Sequence, residues 1–351
     1  MENPNFISDK LIEWYEIHKR DLPWRNTHDP YKIWISEIIL QQTRVVQGFD
    51  YYIRFIERFP DVASLACATE QDVLKYWQGL GYYSRARNLH STAQNIINNF
   101  NGNFPQDYSS ILSLKGVGEY TAAAIASFAF NLPYPAVDGN VFRFLSRLFA
   151  INEPIDTNKG KKYFTELAKA IIDISRPGLF NQAIMEFGAL QCTPSSPDCT
   201  VCPFNSKCLA YKYQKINAFP VKQNKTKTRD IYLFYFHIRN KGCIYLKKRE
   251  EKGIWQNLYE FPSIESDIPL EFEGLVQLSQ FKQLFLDSIN SDFKLIIKNR
   301  KHILSHRTIY ASFYEVYIED DSSLLKKYKK IKFSEINDFP VHRLMQIYLE
   351  K

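Results

Sequence analysis

Four cysteines close together near the middle of the chain are the residues best suited to metal chemistry. They are Cys192, Cys199, Cys202 and Cys208, a C-x6-C-x2-C-x5-C spacing packed into 17 residues. Four thiolates that lie this close in sequence can hold one soft metal centre, and a [4Fe–4S] cluster takes four cysteine ligands. We therefore predict an iron–sulfur cluster in this segment.

Two other uses of these cysteines stay open at this point. A structural zinc usually takes cysteines paired as C-x2–4-C, and Cys199 with Cys202 is the one such pair in the sequence. Disulfides need an oxidising compartment, but the polar first ten residues lack the apolar core of a signal peptide. We therefore expect a cytoplasmic protein. The remaining Cys67 and Cys243 are expected to be ordinary core residues.

A short glycine-containing turn is suited to binding phosphate. Lys115, Gly116, Val117 and Gly118 join one predicted helix to an apolar helix, which begins near Tyr120. Glycines let the backbone turn tightly with its N–H groups exposed, and the N-terminus of the next helix favours an anion there. A helix–hairpin–helix of this kind would hold the DNA backbone without reading its sequence.

Length and composition are compatible with a DNA-binding protein of two domains. The chain has 351 residues and a formal net charge of +7, which is enough for two cores and permits contact with nucleic acid. Aromatic residues make up 15% of the chain, and a few of them could stack on bases. No apolar run approaches the roughly 18 residues of a membrane span, so we expect no membrane partner.

Hydrophobic spacing changes character along the chain. Residues from about 6 to 210 are predicted to form helices joined by short turns, and Tyr31 to Phe59 has apolar residues at helical spacing. Asp61, Thr69 and Asp107 are predicted N-caps of further helices. Residues 212–229 contain six basic and no acidic residues, so we interpret 213–229 as a linker lying against an anion, or as a solvated tether.

Strand signals dominate after residue 230. We predict strands at 231–238 and 243–246 around an Asn240-Lys-Gly242 hairpin, further strands at 293–297 and 309–317, and a helix at 279–290. The predicted organisation is a mostly α domain at 1–212, the linker, and an α+β domain at 230–351.

Several further motifs together point to one family. They are Leu22-Pro-Trp-Arg25, Ser36-Glu-Ile-Ile-Leu-Gln-Gln-Thr43, Gly79-Leu-Gly-Tyr-Tyr-Ser-Arg-Ala-Arg87 and Val137-Asp-Gly-Asn-Val141. With the hairpin and the four cysteines, they resemble the helix–hairpin–helix DNA glycosylases that carry an iron–sulfur cluster. Within that group the chain is similar to the MutY type, adenine glycosylases that act opposite 8-oxoguanine. The resemblance covers nearly the whole chain.

The resemblance implies a pair of catalytic carboxyl groups. Glu37 would protonate the departing adenine, and Asp138 would stabilise the positively charged sugar or capture it covalently, with Tyr120 and Asn140 in support. Glu37 lies in an apolar helical stretch, so burial should raise its pKa. Asp138 precedes a predicted helix, and as an N-cap it should stay ionised.

Tyr120 also separates two branches of the family. The endonuclease III branch carries a lysine there, which forms a Schiff base and cuts the strand. The tyrosine predicts a monofunctional glycosylase, although Lys115, where the family usually has proline, leaves a weak lyase activity open.

The resemblance also implies a set of substrate contacts. Gln42 and Tyr82 would fill the gap in the duplex that base flipping leaves. The residues around the extruded adenine would be Trp24, Arg25, Leu40, Gln42, Thr43 and Glu186.

The second domain resembles a Nudix-like reader of the lesion. Gly253 to Pro262 resembles the G-x-W-x-x-L-x-E-F-P stretch of MutY proteins, but the REx2Ex2 metal signature of a Nudix hydrolase does not follow. Leu304, Ser305 and His306 would inspect 8-oxoguanine, with leucine where the family usually has phenylalanine. A monomer acting on duplex DNA that holds adenine opposite 8-oxoguanine or guanine is the resulting expectation.

Two rival functions stay open from the sequence. One is a glycosylase/lyase for oxidised pyrimidines, against which Tyr120 and the second domain argue. The other is a cluster-bearing DNA-binding protein without catalysis, against which the Glu37 and Asp138 pair argues.

Overall fold

The structure is a computed structural model that describes residues 5–224, 228–285, 292–319 and 327–351. The chain divides into two compact units. Unit 1 comprises Met1–Cys67 and Ser91–Lys225, and unit 2 comprises Ala68–His90 and Thr226–Lys351. Among the described residues, no helix combines the length and apolar character that crossing a membrane requires.

The first part of the chain is helical, as the hydrophobic spacing predicts. Its helices are α1 (Phe6–His18), α2 (Pro30–Leu40), α3 (Val45–Arg58), α4 (Val62–Cys67), α5 (Glu70–Tyr76), α6 (Ser84–Phe100), α7 (Tyr108–Ser113), α8 (Glu119–Phe130), α9 (Gly139–Leu148), α10 (Asn158–Ile171), α11 (Pro177–Leu190) and α12 (Leu209–Lys212). Short 3-10 turns lie at Pro23–Arg25 and Ile216–Ala218.

The predicted helix caps are confirmed. The side chains of Thr69 and Asp107 accept hydrogen bonds from backbone N–H groups in the first turns of α5 and α7. Asp61 does the same before α4, where Ser64 N donates to its Oδ1 over 2.7 Å. Such caps satisfy N–H groups that have no partner inside the helix.

The segment from Tyr31 to Phe59, where the sequence shows helical spacing, forms two helices. It breaks between Leu40 and Val45, where Gln42 has a φ of 57°. Helical spacing continues across the break in the sequence, so the spacing alone does not reveal it. Val46, which matches that spacing, is 87% exposed, whereas Ile35, Ile38 and Ile39 are buried.

One core cluster of unit 1 is built by α1, α9, α10 and α11. Helices α9 and α11 approach so closely that a Cβ at Gly188 would lie 2.7 Å from both the backbone O and the Cβ of Asn140. A larger residue at 188 would therefore push away the helix start that carries Asp138.

Residues 219–224 of the predicted linker are packed within unit 1. Ile155 N donates to the carbonyl O of Val221 over 3.0 Å, and both Gln223 N and Asn224 N donate to the Asp156 carboxylate. Phe219 is buried. A solvated tether is therefore the wrong description of residues 219–224, while residues 225–227 lie outside the described part.

Unit 2 contains a mixed sheet. The described strands are β1 (Arg229–Asn240), β2 (Cys243–Lys248), β3 (Tyr259–Glu260), β4 (Ser263–Ser266), β5 (Phe293–Ile303), β6 (Arg307–Tyr317) and β7 (Lys329–Lys332). Their order is β3-β2-β1-β6-β5, β4 pairs with β1 and β7 with β2, and β1 and β6 run parallel. The described α-helices that follow β1 in the chain are α13 (Phe272–Leu275), α14 (Ser279–Leu284) and α15 (Arg343–Leu349), and α5 with the start of α6 also belongs to this unit. This is the predicted α+β arrangement.

Several predicted elements of unit 2 are confirmed. Lys241 and Gly242 have φ values of 47° and 80°, the pair of positive angles that a tight two-residue hairpin needs. Of the helix predicted at 279–290, the structure shows Ser279–Leu284, and residues 286–290 lie outside the described part. Cys67, which we expected in the core, is exposed, and Cys243 is half-buried.

Candidate active site and cofactor cysteines

Glu37 and Tyr120 meet inside unit 1. Glu37 lies on α2 and is 6% exposed. The Tyr120 hydroxyl, on α8, donates to its Oε2 over 2.7 Å. Burial raises the pKa of Glu37 to about 7, with the Tyr120 hydrogen bond opposing the shift and the charge of Asp138 adding to it. The raised pKa predicted from the apolar helical stretch is confirmed, so much of Glu37 is protonated at neutral pH.

Asp138 caps helix α9, as predicted. Its Oδ1 accepts from the backbone N–H groups of Asn140 and Val141, each over 2.9 Å, and its Oδ2 accepts from Asn140 Nδ2 over 2.7 Å. Burial nevertheless raises the pKa of Asp138 above its ordinary value, while the bonds from Val141 and Asn140 act in the opposite direction. The cap geometry thus favours the carboxylate inside a site that disfavours charge.

Arg143 holds Asn140 in place, and sequence reasoning missed it. Its Nη2 donates to Asn140 Oδ1 over 2.8 Å and to the Gly188 carbonyl over 2.6 Å. Its Nε donates to the Cys192 carbonyl over 2.8 Å. A hydrogen-bonded path therefore runs from Asp138 through Asn140 and Arg143 to the cysteine segment. Because Asn140 and Arg143 are three residues apart on one helix, their side chains lie on the same face, and this spacing could have predicted their contact.

Glu186 is paired with two arginines. Arg25 donates to its carboxylate over 2.9 and 2.6 Å, and Arg20 donates from its backbone N and its side chain. Burial acts to raise the pKa of Glu186, but the hydrogen bonds from Arg20 and Arg25 outweigh it and lower the pKa to about 2. Arg25 and Glu186 were predicted as site residues. Arg20 was not predicted, because nothing in its sequence position, five residues before Arg25, indicates a contact with Glu186.

Leu40 and Thr43 flank the break between α2 and α3, and Trp24 packs against α3. Trp24 is 8% exposed and packs edge-on against Tyr52, with ring centroids 5.1 Å apart. Thr43 N donates to the Leu40 carbonyl over 3.2 Å. Core packing accounts for Trp24, while Leu40 and Thr43 are half-buried.

Gln42 and Tyr82, the predicted gap-filling residues, have the same unusual backbone conformation. Gln42 in unit 1 and Tyr82 in unit 2 have φ values of 57° and 46°, a left-handed conformation that non-glycine residues rarely adopt. Both are exposed, Tyr82 by 46%. Such strain at exposed side chains is typical of functional positions.

The predicted lesion-reading loop joins β5 to β6 in unit 2. Leu304 N donates to the Arg307 carbonyl over 2.8 Å, which closes the turn. Ser305 and His306 are exposed, and Leu304 is half-buried. The hydroxyls of Ser305 and Tyr82 share a 2.5 Å hydrogen bond, so two residues predicted to meet DNA are adjacent within this unit.

The hairpin between α7 and α8 is a tight turn. Val117 N donates to the Leu114 carbonyl over 3.1 Å, and Gly116 has a φ of 82°. The hydroxyl of Thr92 donates to the Lys115 carbonyl over 2.9 Å. Lys115 and Gly118 are exposed, so Lys115 and the N-terminus of α8 face solvent where an anion could bind.

The four cysteines line one cavity in unit 1. Cys192, Cys199, Cys202 and Cys208 all contribute to its wall, together with Arg147. Arg147 is 2% exposed, and its Nη1 lies 3.5 Å from Cys192 Sγ and 2.6 Å from the Thr193 carbonyl. Within the described residues, no three His, Cys, Asp or Glu side chains are grouped as a bound metal ion would require.

The chemistry of this donor set suits a cluster better than a single ion. Each cysteine of a [4Fe–4S] cubane binds a different iron, so its four sulfurs line a cavity instead of converging on one atom. The buried guanidinium of Arg147 offsets negative charge that four thiolates would bring. The residues present therefore fit an iron–sulfur cluster.

Comparisons with known proteins agree with this architecture. Residues 35–172 match the HhH-GPD superfamily base excision DNA repair protein family, and residues 234–351 match the NUDIX domain family. A solved thermostable thymine-DNA glycosylase is 29% identical with a TM-score of 0.56, covering 60% of this chain and 97% of that one. A solved endonuclease III–DNA complex, 23% identical with a TM-score of 0.52, shares the fold over 61% of this chain and 99% of that one. The protein is thus a helix–hairpin–helix DNA glycosylase with a Nudix-like second region.

Relatives in sequence show which kind of DNA glycosylase family the chain belongs to. The adenine DNA glycosylase of Buchnera aphidicola subsp. Baizongia pistaciae is 38% identical over 302 residues, covering 86% of this chain and 83% of the relative. That of Schizosaccharomyces pombe is 30% identical over 367 residues, covering 85% and 78%. The chain belongs to the adenine DNA glycosylase family, the MutY type that the motifs indicated. It is a monofunctional glycosylase, a hydrolase that acts on N-glycosyl bonds.

Proposed function

We propose that this enzyme removes adenine paired with 8-oxoguanine or guanine in duplex DNA. The observation that carries the proposal is the buried Glu37 carboxyl, with a pKa of about 7 and a hydrogen bond from Tyr120. A carboxylic acid that is partly protonated at neutral pH is the group needed to protonate a poor leaving group.

In the proposed reaction, Glu37 gives its proton to N7 of adenine as the C1′–N9 bond breaks. The bonding electrons leave with adenine, which departs neutral, and the sugar becomes positively charged at C1′. Glu37, now a carboxylate, then accepts a proton from the water that adds to the sugar. The Tyr120 hydroxyl supports this step, because its hydrogen bond favours the carboxylate form of Glu37.

Asp138 is the proposed stabiliser of the charged sugar. Oδ1 is held by two backbone N–H groups and Oδ2 by Asn140 Nδ2, so the carboxylate has a fixed orientation. It would either stay beside C1′ as a counter-charge or bond to C1′, in which case water later displaces it and the configuration is retained. Asn140 and Arg143 position it.

The extruded adenine would lie near the arginine–glutamate cluster. Arg25 is bound through both terminal nitrogens to Glu186, so the buried carboxylate would hold the guanidinium in a fixed orientation beside the base. Trp24, Leu40 and Thr43 would form the apolar side of this pocket, with Arg20 holding Glu186.

Gln42 and Tyr82 are the residues proposed to fill the gap that the extruded base leaves in the duplex. Both project from exposed left-handed turns, which present a side chain away from the surrounding backbone. Unstacking and unpairing a base costs a few kcal/mol, and groups that occupy the gap offset part of that cost.

The β5–β6 loop is the proposed reader of the oxidised base. Ser305 would hydrogen-bond 8-oxoguanine, His306 would contact the base or a phosphate, and Leu304 would enter the stack as an apolar wedge. Exposed Arg300 and Lys301, near the end of β5 that leads into the loop, bring positive charge to it, whereas Lys298 is paired with Glu271. Leucine cannot stack as an aromatic ring does, so selectivity for the lesion should be looser than with phenylalanine.

The remaining parts of the proposal concern the cofactor and the DNA backbone. We propose that Cys192, Cys199, Cys202 and Cys208 hold a [4Fe–4S] cluster, which would fix the loop between them when bound. Lys115, Gly116, Val117 and Gly118 would hold a phosphate.

The protein would work as a monomer on DNA in the cytoplasm, in the nucleoid if the cell is bacterial. Its proposed domains are residues 1–212 as the glycosylase domain, 213–229 as the linker and 230–351 as the lesion-reading domain.

A strand-cleavage assay tests the proposed function. Labelled duplexes would carry adenine opposite 8-oxoguanine, guanine or thymine, or carry thymine glycol, each with and without hot alkali. Alkali-dependent cutting opposite 8-oxoguanine and guanine, with little opposite thymine, is the expected result. Cutting of thymine glycol without alkali would overturn the proposal in favour of a lyase for oxidised pyrimidines.

A further inference from the structure

The turn that carries Tyr82 is held in an unfavourable conformation. Gly79, Gly81 and Tyr82 have φ values of 99°, 75° and 46°, so three of four consecutive residues occupy the left-handed region. Glycine adopts these angles at little cost, but tyrosine does not. Something outside the turn must therefore stabilise the position of Tyr82.

The side chain of Arg85 meets this turn on several sides. Its Nη2 donates to the carbonyl oxygens of Gly81 over 3.2 Å and Leu80 over 3.4 Å. Its guanidinium carbon lies 5.1 Å from the ring centroid of Trp77 and 5.6 Å from that of Tyr82. Trp77 also donates from Nε1 to the Gly81 carbonyl over 3.1 Å. The planar cation thus connects the turn's carbonyls to the ring of Tyr82.

This is a costly place for a cation. Arg85 is 8% exposed, and burial lowers its pKa to about 10. It is the second residue of α6, where the helix dipole disfavours positive charge. Helix formation by itself therefore does not explain why a buried arginine lies at this position. Its contacts with the Tyr82 turn give a reason for it.

We propose that Arg85 is a positioning residue that sets the Tyr82 ring in the orientation needed to enter the opened duplex. The hydroxyl of Tyr82 also shares its hydrogen bond with Ser305, so Arg85 would align one end of a pair whose other end lies in the lesion-reading loop. The inference rests on the proposed gap-filling role of Tyr82 and names the residue on which that role depends.

A double-mutant cycle tests the proposal. Arg85→Met, Tyr82→Ala and the double variant would be compared for affinity toward a duplex with 2′-fluoro-adenosine opposite 8-oxoguanine, in which the fluorine suppresses hydrolysis. Loss of the charged hydrogen bonds is expected to weaken binding by Arg85→Met roughly tenfold. In the Tyr82→Ala background the same change should weaken binding less than about twofold.

Arg87→Met is the matched control. Arg87 lies on the same helix, and its Nη1 donates to the Gln256 carbonyl over 2.9 Å. It should bind the duplex as the parent does. Thermal unfolding of every variant separates a loss of fold from a loss of positioning. If Arg85→Met does not fold, Arg85→Lys takes its place, because lysine keeps the positive charge but lacks the planar guanidinium with its several N–H donors.

Two outcomes would overturn the inference. One is a tenfold loss that persists in the Tyr82→Ala background, since Arg85 would then act independently of Tyr82. The other is a Tyr82→Ala protein that binds as tightly as the parent. Failure of the proposed function appears separately, as absence of adenine release from the same duplex without fluorine by the unmutated enzyme.

Discussion

The hydroxyl of Tyr120 donates a 2.7 Å hydrogen bond to Oε2 of Glu37, on a carboxyl whose pKa burial raises to about 7. The two effects oppose each other, because burial favours the neutral acid and the hydrogen bond favours the carboxylate. The contact therefore sets the pH at which Glu37 loses its proton.

Replacing Tyr120 by phenylalanine should move the pH dependence of the enzyme. Without the hydrogen bond that lowers it, the pKa of Glu37 rises further, so the acid form persists to higher pH. The alkaline limb of kcat/KM for adenine release should shift upward. Tyr31→Phe, which removes a hydroxyl bonded to the Phe59 carbonyl over 2.7 Å, should leave the limb in place. An unmoved or lowered limb for Tyr120→Phe would contradict the assignment.

Replacing Glu37 by glutamine should change how stability varies with pH. The pKa is raised from 4.5 to about 7 in the folded protein, so the folded state binds more protons than the unfolded chain across that window. The parent should therefore lose stability relative to Glu37→Gln as pH rises from about 4.5 to about 7, by an amount on the order of 3 kcal/mol. Urea unfolding at several pH values measures this. A stability difference that is constant with pH would mean that the Glu37 pKa is not raised.

Glu186 should make the opposite contribution. Its pKa is lowered from 4.5 to about 2, so its stabilising effect is present above about 4.5 and is lost as pH falls toward 2. Glu186→Ala leaves Arg20 and Arg25 without their shared carboxylate and should cost roughly 3 kcal/mol at pH 7. Exposed Glu166→Gln serves as the control for urea unfolding. Equal stability of the two variants would show that the arginine–glutamate cluster contributes little.

The cysteine cavity predicts a specific pattern of iron content. Cys202→Ser should lower the iron bound per chain well below the four atoms of a complete cluster, together with the visible absorption of iron–sulfur bonds. Cys67→Ser removes an exposed cysteine that does not line the cavity and should retain both signals. Purified protein with stoichiometric zinc and no iron would favour the structural zinc alternative.

The lesion-reading loop can be tested by restoring the residue common in the family. Leu304→Phe adds a ring able to stack on a base, which is worth about 1–3 kcal/mol. The ratio of adenine excision opposite 8-oxoguanine to excision opposite guanine should rise roughly fivefold or more. Ile303→Phe, at the neighbouring position that is 69% exposed, should change the ratio little. A ratio unchanged by Leu304→Phe would indicate that this side chain does not enter the stack.

Local signals in the sequence predicted much of the fold. The caps at Asp61, Thr69, Asp107 and Asp138 and the hairpin at 240–242 depend on residues that are adjacent in the chain, and all are present in the structure. The raised pKa of Glu37 followed from the apolar residues around it.

The features that were missed depend on tertiary contacts. Arg20 and Arg143 bind partners 166 and 49 residues away, at Glu186 and Cys192, and no periodicity reveals such pairs. The break at Gln42 preserves helical spacing, so the pattern does not show where the first helix ends and the second begins. The packing of residues 219–224 likewise depends on Ile155 and Asp156, far away in sequence.

The most direct test of the account is the single-turnover rate of adenine release from a duplex with adenine opposite 8-oxoguanine. The parent, Glu37→Gln and the exposed control Glu57→Gln would be compared at neutral pH. Loss of the acid should slow Glu37→Gln at least about 100-fold, while its stability and affinity for the duplex are retained and Glu57→Gln matches the parent. A Glu37→Gln enzyme that releases adenine within about tenfold of the parent rate would contradict the assignment of Glu37 as the catalytic acid.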